Sequence, residues 1–189
     1  MMDIVVVLHN IRSVYNVGSV FRTCDAANVD RVYLVGVTPT PMDRFGKFRA
    51  DFAKVALGAE KTVEWEHFKN FGAVYKKLKS ANGRTPVGGS YKKLRSDAFE
   101  ILAVEQGKRS IPYYFIGRSS DKIVSRKLGK VALVFGEETK GLPKSVLDKC
   151  DKILEIPMRG KKESLNVSVA AGIVIYHLMV AGGSGDFLL

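Results

Sequence analysis

The sequence predicts an α/β fold with a mainly parallel sheet and helices on both faces, and three observations predict it. Residues 4–8 (IVVVL) and 130–136 (KVALVFG) are apolar, β-branched runs without the alternation of a half-exposed strand, so both faces of each are expected to be covered. Such runs alternate with segments whose apolar residues recur at helical spacing. Polar, glycine-bearing turns follow the strands at once, where a parallel sheet places its connections and its ligand sites. A chain of 189 residues, 46% of them hydrophobic, suffices for one well-packed core and is short for two, so residues 1–189 are read as a single domain.

Taken in order, the first strand leads into a helix from Asn16, which stands at a capping position before Val17, Val20, Phe21, Cys24 and Ala27. Arg22 lies roughly 140° round that helix from Val17, at ~100° per residue, and is free to point into a cleft. Residues 31–37 (RVYLVGV) form the next strand, ended by Pro39 and Pro41. A basic loop over 42–49 precedes a short helix over 51–57 stopped by Gly58. A third strand lies around 63–65, with Trp65 as a core or interface anchor. Phe68, Phe71, Val74, Tyr75 and Leu78 mark an amphipathic helix over 68–78, and loop signals fill 80–90. Strands follow over 99–106 (FEILAVEQ), 113–116, 130–136 and 152–156. Residues 104–106 are a candidate ligand edge, because open α/β sheets bind beyond the carboxyl ends of their strands. The last helix begins with Ser164 or Asn166 as N-cap, and its uncharged run over 167–181 is too short to span a membrane comfortably. Read alone, it is an ordinary capped core helix, and residues 181–189 are expected to form a flexible tail.

Charge narrows the partner class. Thirty Lys and Arg against nineteen Asp and Glu give a formal net charge of +11, the balance of a protein that meets a polyanion. Between residues 68 and 96 stand Lys69, Lys76, Lys77, Lys79, Arg84, Lys92, Lys93 and Arg95 with no Asp or Glu among them. Such a run favours phosphate contact over a merely solvated face, and Lys92, Lys93 and Arg95 are the candidate RNA contacts within it. Cys24 and Cys150 are distant in sequence and lack metal spacing, and His9, His67 and His177 show none either, so no disulfide framework and no metal site is expected. Neither GxGxxG nor GxxxxGK[ST] opens a helix, which removes the main support for dinucleotide and P-loop readings. The start MMDIVVVLHN has an acid where a signal peptide has basic residues, so a soluble, cytoplasmic protein with no membrane partner is expected.

Three glycine-bearing motifs at strand ends carry a further inference: NVGSVFR after the first strand, GEETKGLP after the strand over 130–136, and IPMRGKKESLNVS after the strand over 152–156. Together they resemble the signature motifs of the SpoU/TrmH branch of the SPOUT RNA 2′-O-ribose methyltransferases. The resemblance runs from Ile4 to about Val180, and its third motif is the most specific. It implies a C-terminal trefoil knot, which no periodicity would have proposed. It also implies S-adenosylmethionine as cofactor and a homodimer built partly on the last helix, whose nearly all-round apolar character independently suggests burial on more than one side.

Position by position, Asn16 and Arg22 match the functional asparagine and arginine of the first motif, Glu138 the glutamate of the second, and Ser164 and Asn166 the polar pair of the third. Gly136, Ile156 and Leu165, with Ser164, fall where the family holds its cofactor largely through backbone groups, and Val104 forms another edge. Residues 81–96 look like a basic loop insertion. The implied activity is methyl transfer to a ribose 2′-hydroxyl of tRNA or rRNA, with Arg22 stabilising the developing oxyanion and positioning a phosphate. Recognition is expected to come from the catalytic dimer and its basic patches, which favours tRNA. The alternatives are a non-catalytic RNA-binding protein on the same fold and a related enzyme that methylates a base.

Overall fold

The structure, a computed structural model, describes residues 3–80, 98–116 and 129–182. The basic insertion, with Lys92, Lys93 and Arg95, and the chain beyond residue 182 lie outside the described residues. Among those described, seven strands form one sheet: β1 (Asp3–His9), β2 (Arg31–Val35), β3 (Trp65–Phe68), β4 (Glu100–Val104), β5 (Ile111–Pro112), β6 (Lys130–Phe135) and β7 (Lys152–Glu155). Their order is β3-β2-β1-β6-β4-β7-β5, and every pairing is parallel. The apolar runs behave as their composition requires. Val6, Val7 and Leu8 of β1 and Val131 to Val134 of β6 are fully buried, each large side chain contributing roughly 1.5–3 kcal/mol relative to exposure.

The core has two layers, one on each face of the sheet. On one face α1 (Val14–Ala26), α2 (Ala50–Ala56), α3 (Ala59–Thr62) and α6 (Val167–Gly182) pack with Ile4, Val6, Leu8, Leu133 and Phe135. On the other, α4 (Phe71–Lys79) and α5 (Lys144–Leu147) cover Val5, Val7, Ala132 and Val134. The alternation of one strand's side chains between the two layers is the period of two that a strand covered on both faces must show.

Several boundaries differ from expectation for local reasons. Ser13, not Asn16, caps α1: its Oγ accepts the Asn16 N–H at 3.2 Å, which puts Asn16 inside the first turn. Helix α2 ends at Ala56, and Leu57 takes the left-handed conformation (φ 53°) one residue before Gly58. Strand β3 runs over Trp65–Phe68, not 63–65, because Asn70 caps α4 by accepting the Ala73 N–H at 3.1 Å and so excludes Phe68 from the helix. Residues 113–115 are a 3₁₀ turn rather than strand, the paired residues being Ile111 and Pro112. The eight cations from 69 to 95 are also less free than the sequence suggests, since Lys77 pairs with Glu66 and Lys79 with Asp151 at 2.7 Å.

The last strand enters between segments the chain has already joined. Val104 of β4 and Ile111 of β5 both pair with Leu154 of β7, and only residues 105–110 link β4 to β5.

Candidate active site

The candidate site lies at the carboxyl edge of the sheet, where the turns after β1, β6 and β7 meet. Leu8 of β1 is level with Phe135 of β6, Phe135 with Val104 of β4, and Val104 with Leu154 of β7. The residues that follow these strand ends therefore share one rim, and the three motifs come together there despite their separation in sequence.

A hydrogen-bond relay joins them. The Asn16 amide nitrogen donates to Glu138 Oε1, and Asn166 Nδ2 donates to Asn16 Oδ1 at 3.0 Å. Asn166 Oδ1 in turn accepts both the Ser168 hydroxyl at 2.6 Å and the Ser168 backbone N–H at 2.8 Å. Every donor in this chain points the same way, from Ser168 through Asn166 and Asn16 to the Glu138 carboxylate. An ionised carboxylate only accepts, so it fixes the direction of the relay, and aligned amide dipoles reinforce one another. Asn166 thereby caps α6, with its backbone carbonyl also accepting the Ala170 N–H at 3.0 Å, and Ser164 does not. Residue types already legible in the sequence acquire partners that were not, as Glu138 does in pairing with Asn16.

The turn that carries Glu138 is held from two sides. A Cβ built on Gly136 would meet the Gly141 carbonyl carbon at 2.6 Å and the Leu142 nitrogen at 2.7 Å, so only glycine lets the end of β6 lie against residues 141–142. Gly141 has φ +64°, and any side chain there would collide with the Glu105 carboxylate. Glu105 Oε2 accepts the Leu142 N–H at 2.8 Å and its Oε1 accepts the Gln106 N–H at 3.1 Å, which clasps the turn to the end of β4. Arg12 adds an ion pair to Glu137 at 3.4 Å. Glu105 and Ser168 are the site residues that residue-by-residue reading missed. Each sat inside a stretch already singled out, AVEQ and SLNVS, with nothing to show what its side chain would bind.

The other expected residues fall in two groups. Val104 and Ile156 are half-buried against the α1/α6 layer of the core, on neighbouring strand ends with Gly136 between β1 and β4, and so form an apolar wall beside open backbone. Ser164 and Leu165 are exposed on the approach to α6, with Leu165 40% exposed, and take no part in the relay. Arg22 is exposed on α1 and makes no hydrogen bond or ion pair among the described residues. It stands six residues beyond Asn16, about 9 Å along the helix and ~120° round it, and takes no part in the relay. Among the described residues no group of three His, Cys, Asp or Glu is placed to hold a metal ion, and no helix is long and apolar enough to cross a membrane.

Comparison with known proteins gives a consistent picture. The model of the SpoU rRNA methylase family matches residues 3–176. The 23S rRNA (guanosine-2′-O-)-methyltransferase RlmB of Haemophilus ducreyi is 27% identical over 176 residues, covering 93% of this chain and 59% of that protein. RlmB of Escherichia coli is 26% identical over 175 residues, covering 90% of this chain and 57% of its own length. The chain thus spans less than two thirds of these relatives. Among solved structures, the A. aeolicus TrmH/SpoU tRNA modifying enzyme superposes with a TM-score of 0.71 at 24% identity, over 96% of this chain and 76% of that one. The AdoMet-bound rRNA methyltransferase from Sinorhizobium meliloti superposes with a TM-score of 0.72 at 21% identity, over 96% of this chain and 57% of that one. At these identities the two structures establish the shared fold.

Proposed function

Because the chain belongs to the SpoU rRNA methylase family, we propose that it transfers a methyl group from S-adenosylmethionine to the 2′-hydroxyl of an RNA ribose. The observation that carries this is the relay from Ser168 to Glu138, which joins polar residues of all three motifs through groups, Glu138 and Asn166, that are exposed. A protein that only bound RNA on this fold would need the cap of α6 but not its extension through Asn16 to Glu138. The relatives' names favour ribosomal RNA over the tRNA expected from the basic surface.

The strand ends fit the cofactor. Gly136 keeps side-chain atoms out of the rim, and Val104 and Ile156 offer an apolar wall for a flat ring, with the backbone of residues 136, 156 and 164–165 left to hydrogen-bond it. When bound there, S-adenosylmethionine supplies an electrophilic sulfonium methyl group. The chain's own task is to place the ribose oxygen in line and to manage one proton. Asn16 and Asn166 fix the floor on which the ribose rests, and Glu138 holds Asn16 in its donor orientation. Arg22, unpaired and permanently charged, grips the adjacent phosphate and stabilises negative charge growing on the 2′-oxygen. A guanidinium does not take the proton, which passes to water or a phosphate oxygen.

The reading includes a homodimer and the knot. Helix α6 buries Val167, Ala171, Val174, Ile175 and Leu178, yet Val169, Tyr176 and Val180 on its other side are 50%, 44% and 60% exposed. Their i, i+7, i+11 spacing makes one apolar face that a second copy would cover, and such a copy could bring its Arg22 to this relay. The test is methyl transfer to RNA from cells lacking the protein, with the modified nucleoside identified after a thermal-shift measurement of S-adenosylmethionine binding. A 2′-O-methyl nucleoside is expected, and Arg22→Ala should abolish turnover while cofactor binding persists. Cofactor binding without transfer to any RNA would favour the non-catalytic alternative, and a base-methylated product would replace ribose by base chemistry.

A further inference from the structure

On the face of the sheet opposite α1 and α6, a cavity of about 390 Å³ opens between the carboxyl end of β1 and the start of α4. His9, Lys69, Asn70, Gly72, Ser145 and Lys149 line it. Three features leave it electrostatically incomplete. The first turn of α4 has no acidic residue, and the Asn70 side chain satisfies only the Ala73 N–H, so the positive end of a nine-residue helix faces the cavity without an anion. Lys149 nevertheless points its ammonium at that same end: a Cβ on Gly72 would lie 3.9 Å from its Nζ. Lys149, whose ammonium lies 5.9 Å from the Tyr75 ring centroid, and Lys69 have no ion-pair partner among the described residues, whereas Lys144, Lys77 and Lys79 all do. The third feature is independent of the helix. His9 is only 8% exposed, and its buried Nδ1 has no hydrogen-bond partner among the described residues, the kind of orphan that a bound ion or water explains.

We propose that this cavity is a subsite for a backbone phosphodiester of the RNA substrate. It rests on the RNA-methyltransferase reading above and adds a second grip on the nucleic acid, away from the methylated ribose. Two lysines, the free N–H groups of a helix start and a buried imidazole together match the charge and the acceptor oxygens of a phosphate. Burial holds the His9 imidazole below its ordinary pKa, so the ring is neutral near pH 7 and adds a polar but uncharged group to the cavity wall. A phosphodiester suits the place better than a free anion. The cavity is open to solvent, so a chain can enter and leave it, and two of its lining segments lie next in sequence to relay residues. His9 and Asn10 lead directly into the segment that ends in Asn16, and Ser145 follows the turn that carries Glu138. An RNA strand lying along the sheet edge would pass both.

The test is the salt dependence of RNA binding by the full chain, with transcribed, unmodified ribosomal RNA as probe. Lys149→Gln removes one phosphate contact, so the slope of log K against log salt should fall by about one and affinity at 50 mM salt should drop roughly tenfold. Lys149→Arg should restore both, and Ser145→Asp, which puts a carboxylate into the cavity from an exposed position, should reproduce the loss. The thermal shift given by S-adenosylmethionine should be the same in all three variants. Methyl transfer by the unaltered chain together with an unchanged slope in Lys149→Gln would overturn the subsite alone. No RNA binding by the unaltered chain would overturn the methyltransferase reading and the subsite with it. Inorganic phosphate, titrated at constant ionic strength, separates the two sources of the ligand: saturable phosphate binding lost in Lys149→Gln, with the RNA slope intact, would assign the cavity to a free anion instead.

Discussion

Replacing Asn16 with alanine separates what the relay does for stability from what it does for chemistry. The change removes the bond to the Glu138 carboxylate and the 3.0 Å bond from Asn166. A sheltered bond to an ionised group is worth ~1.5–3 kcal/mol and a neutral one ~0.5–1.5 kcal/mol. Both freed partners are exposed, however, so water takes over much of what is lost, and the sum falls to about 1–2 kcal/mol. Alanine returns up to ~0.7 kcal/mol through its helix propensity in α1. The net cost is therefore about 1 kcal/mol, or roughly 2–4 °C in Tm for a chain of this size. The catalytic cost is of another order. Losing the donor that positions the ribose should lower kcat/KM about 10²-fold or more, because misplacement by ~1 Å has that effect. Asn16→Asp tests the direction of the relay: it keeps the shape but sets a carboxylate against Glu138, and should be the less stable of the two variants. The measurements are a thermal melt and methyl transfer to RNA from cells lacking the protein, run on the same preparations. A kcat/KM for Asn16→Ala within about threefold of the unaltered chain would show that the relay is a structural tie and would refute its catalytic placement.

Three other outcomes are expected. Gly141→Ala forces a side chain into the left-handed region at φ +64° and against Glu105, so it should destabilise the chain by at least ~1–2 kcal/mol and weaken S-adenosylmethionine binding, both read by thermal melts with and without cofactor. Because burial lowers the His9 pKa, the native state holds fewer protons than the unfolded chain between that lowered value and ~6.5. The stability that depends on a neutral His9 is thus present above pH ~6.5 and lost as pH falls through that window, and a His9→Asn chain should show a flatter pH–Tm curve there. Tyr176→Asp places a charge on the exposed apolar face of α6, 44% open in one protomer, and should convert a dimer to monomers in sedimentation with little change in melting of the monomer itself. A monomeric unaltered chain at working concentration would remove that interface.

The parts of the fold that were legible in the sequence are those whose burial is symmetrical. Strands β1 and β6 are covered on both faces, so nothing but apolar residues suits them and their limits are visible to within a residue or two. Strand β3 was misplaced because it is an edge strand with half-buried and exposed residues, and because Phe68 happens to continue the i, i+3 spacing of α4. Only the capping bond of Asn70 decides which element owns it. In the site, residue types were readable and partners were not. The lysine run looked unopposed because Glu66 and Asp151, which neutralise Lys77 and Lys79, are supplied by β3 and by the turn before β7. The cavity beside α4 could not be seen at all, since His9 and Lys149 are far apart in sequence and share its lining only in the folded chain.

What brings the relay together is a pairing of two deeply buried strands. Asn16 follows β1 and Glu138 follows β6, and the two strands are held in one register, Asp3 to Leu8 against Lys130 to Phe135. A slip of one residue there would turn every side chain of β1 to the opposite layer, exchanging Val6 and Leu8 with Val5 and Val7. The two layers differ in depth, since one is built on α1 and α6 and the other on the short α4 and α5, so that slip would be paid for across the whole core. The register is therefore fixed by apolar burial, and the polar bond from Asn16 to Glu138 comes into range as its consequence. This is why a contact of about 1 kcal/mol between exposed groups can be held in one geometry: the relay contributes direction to a site whose position the core has already set.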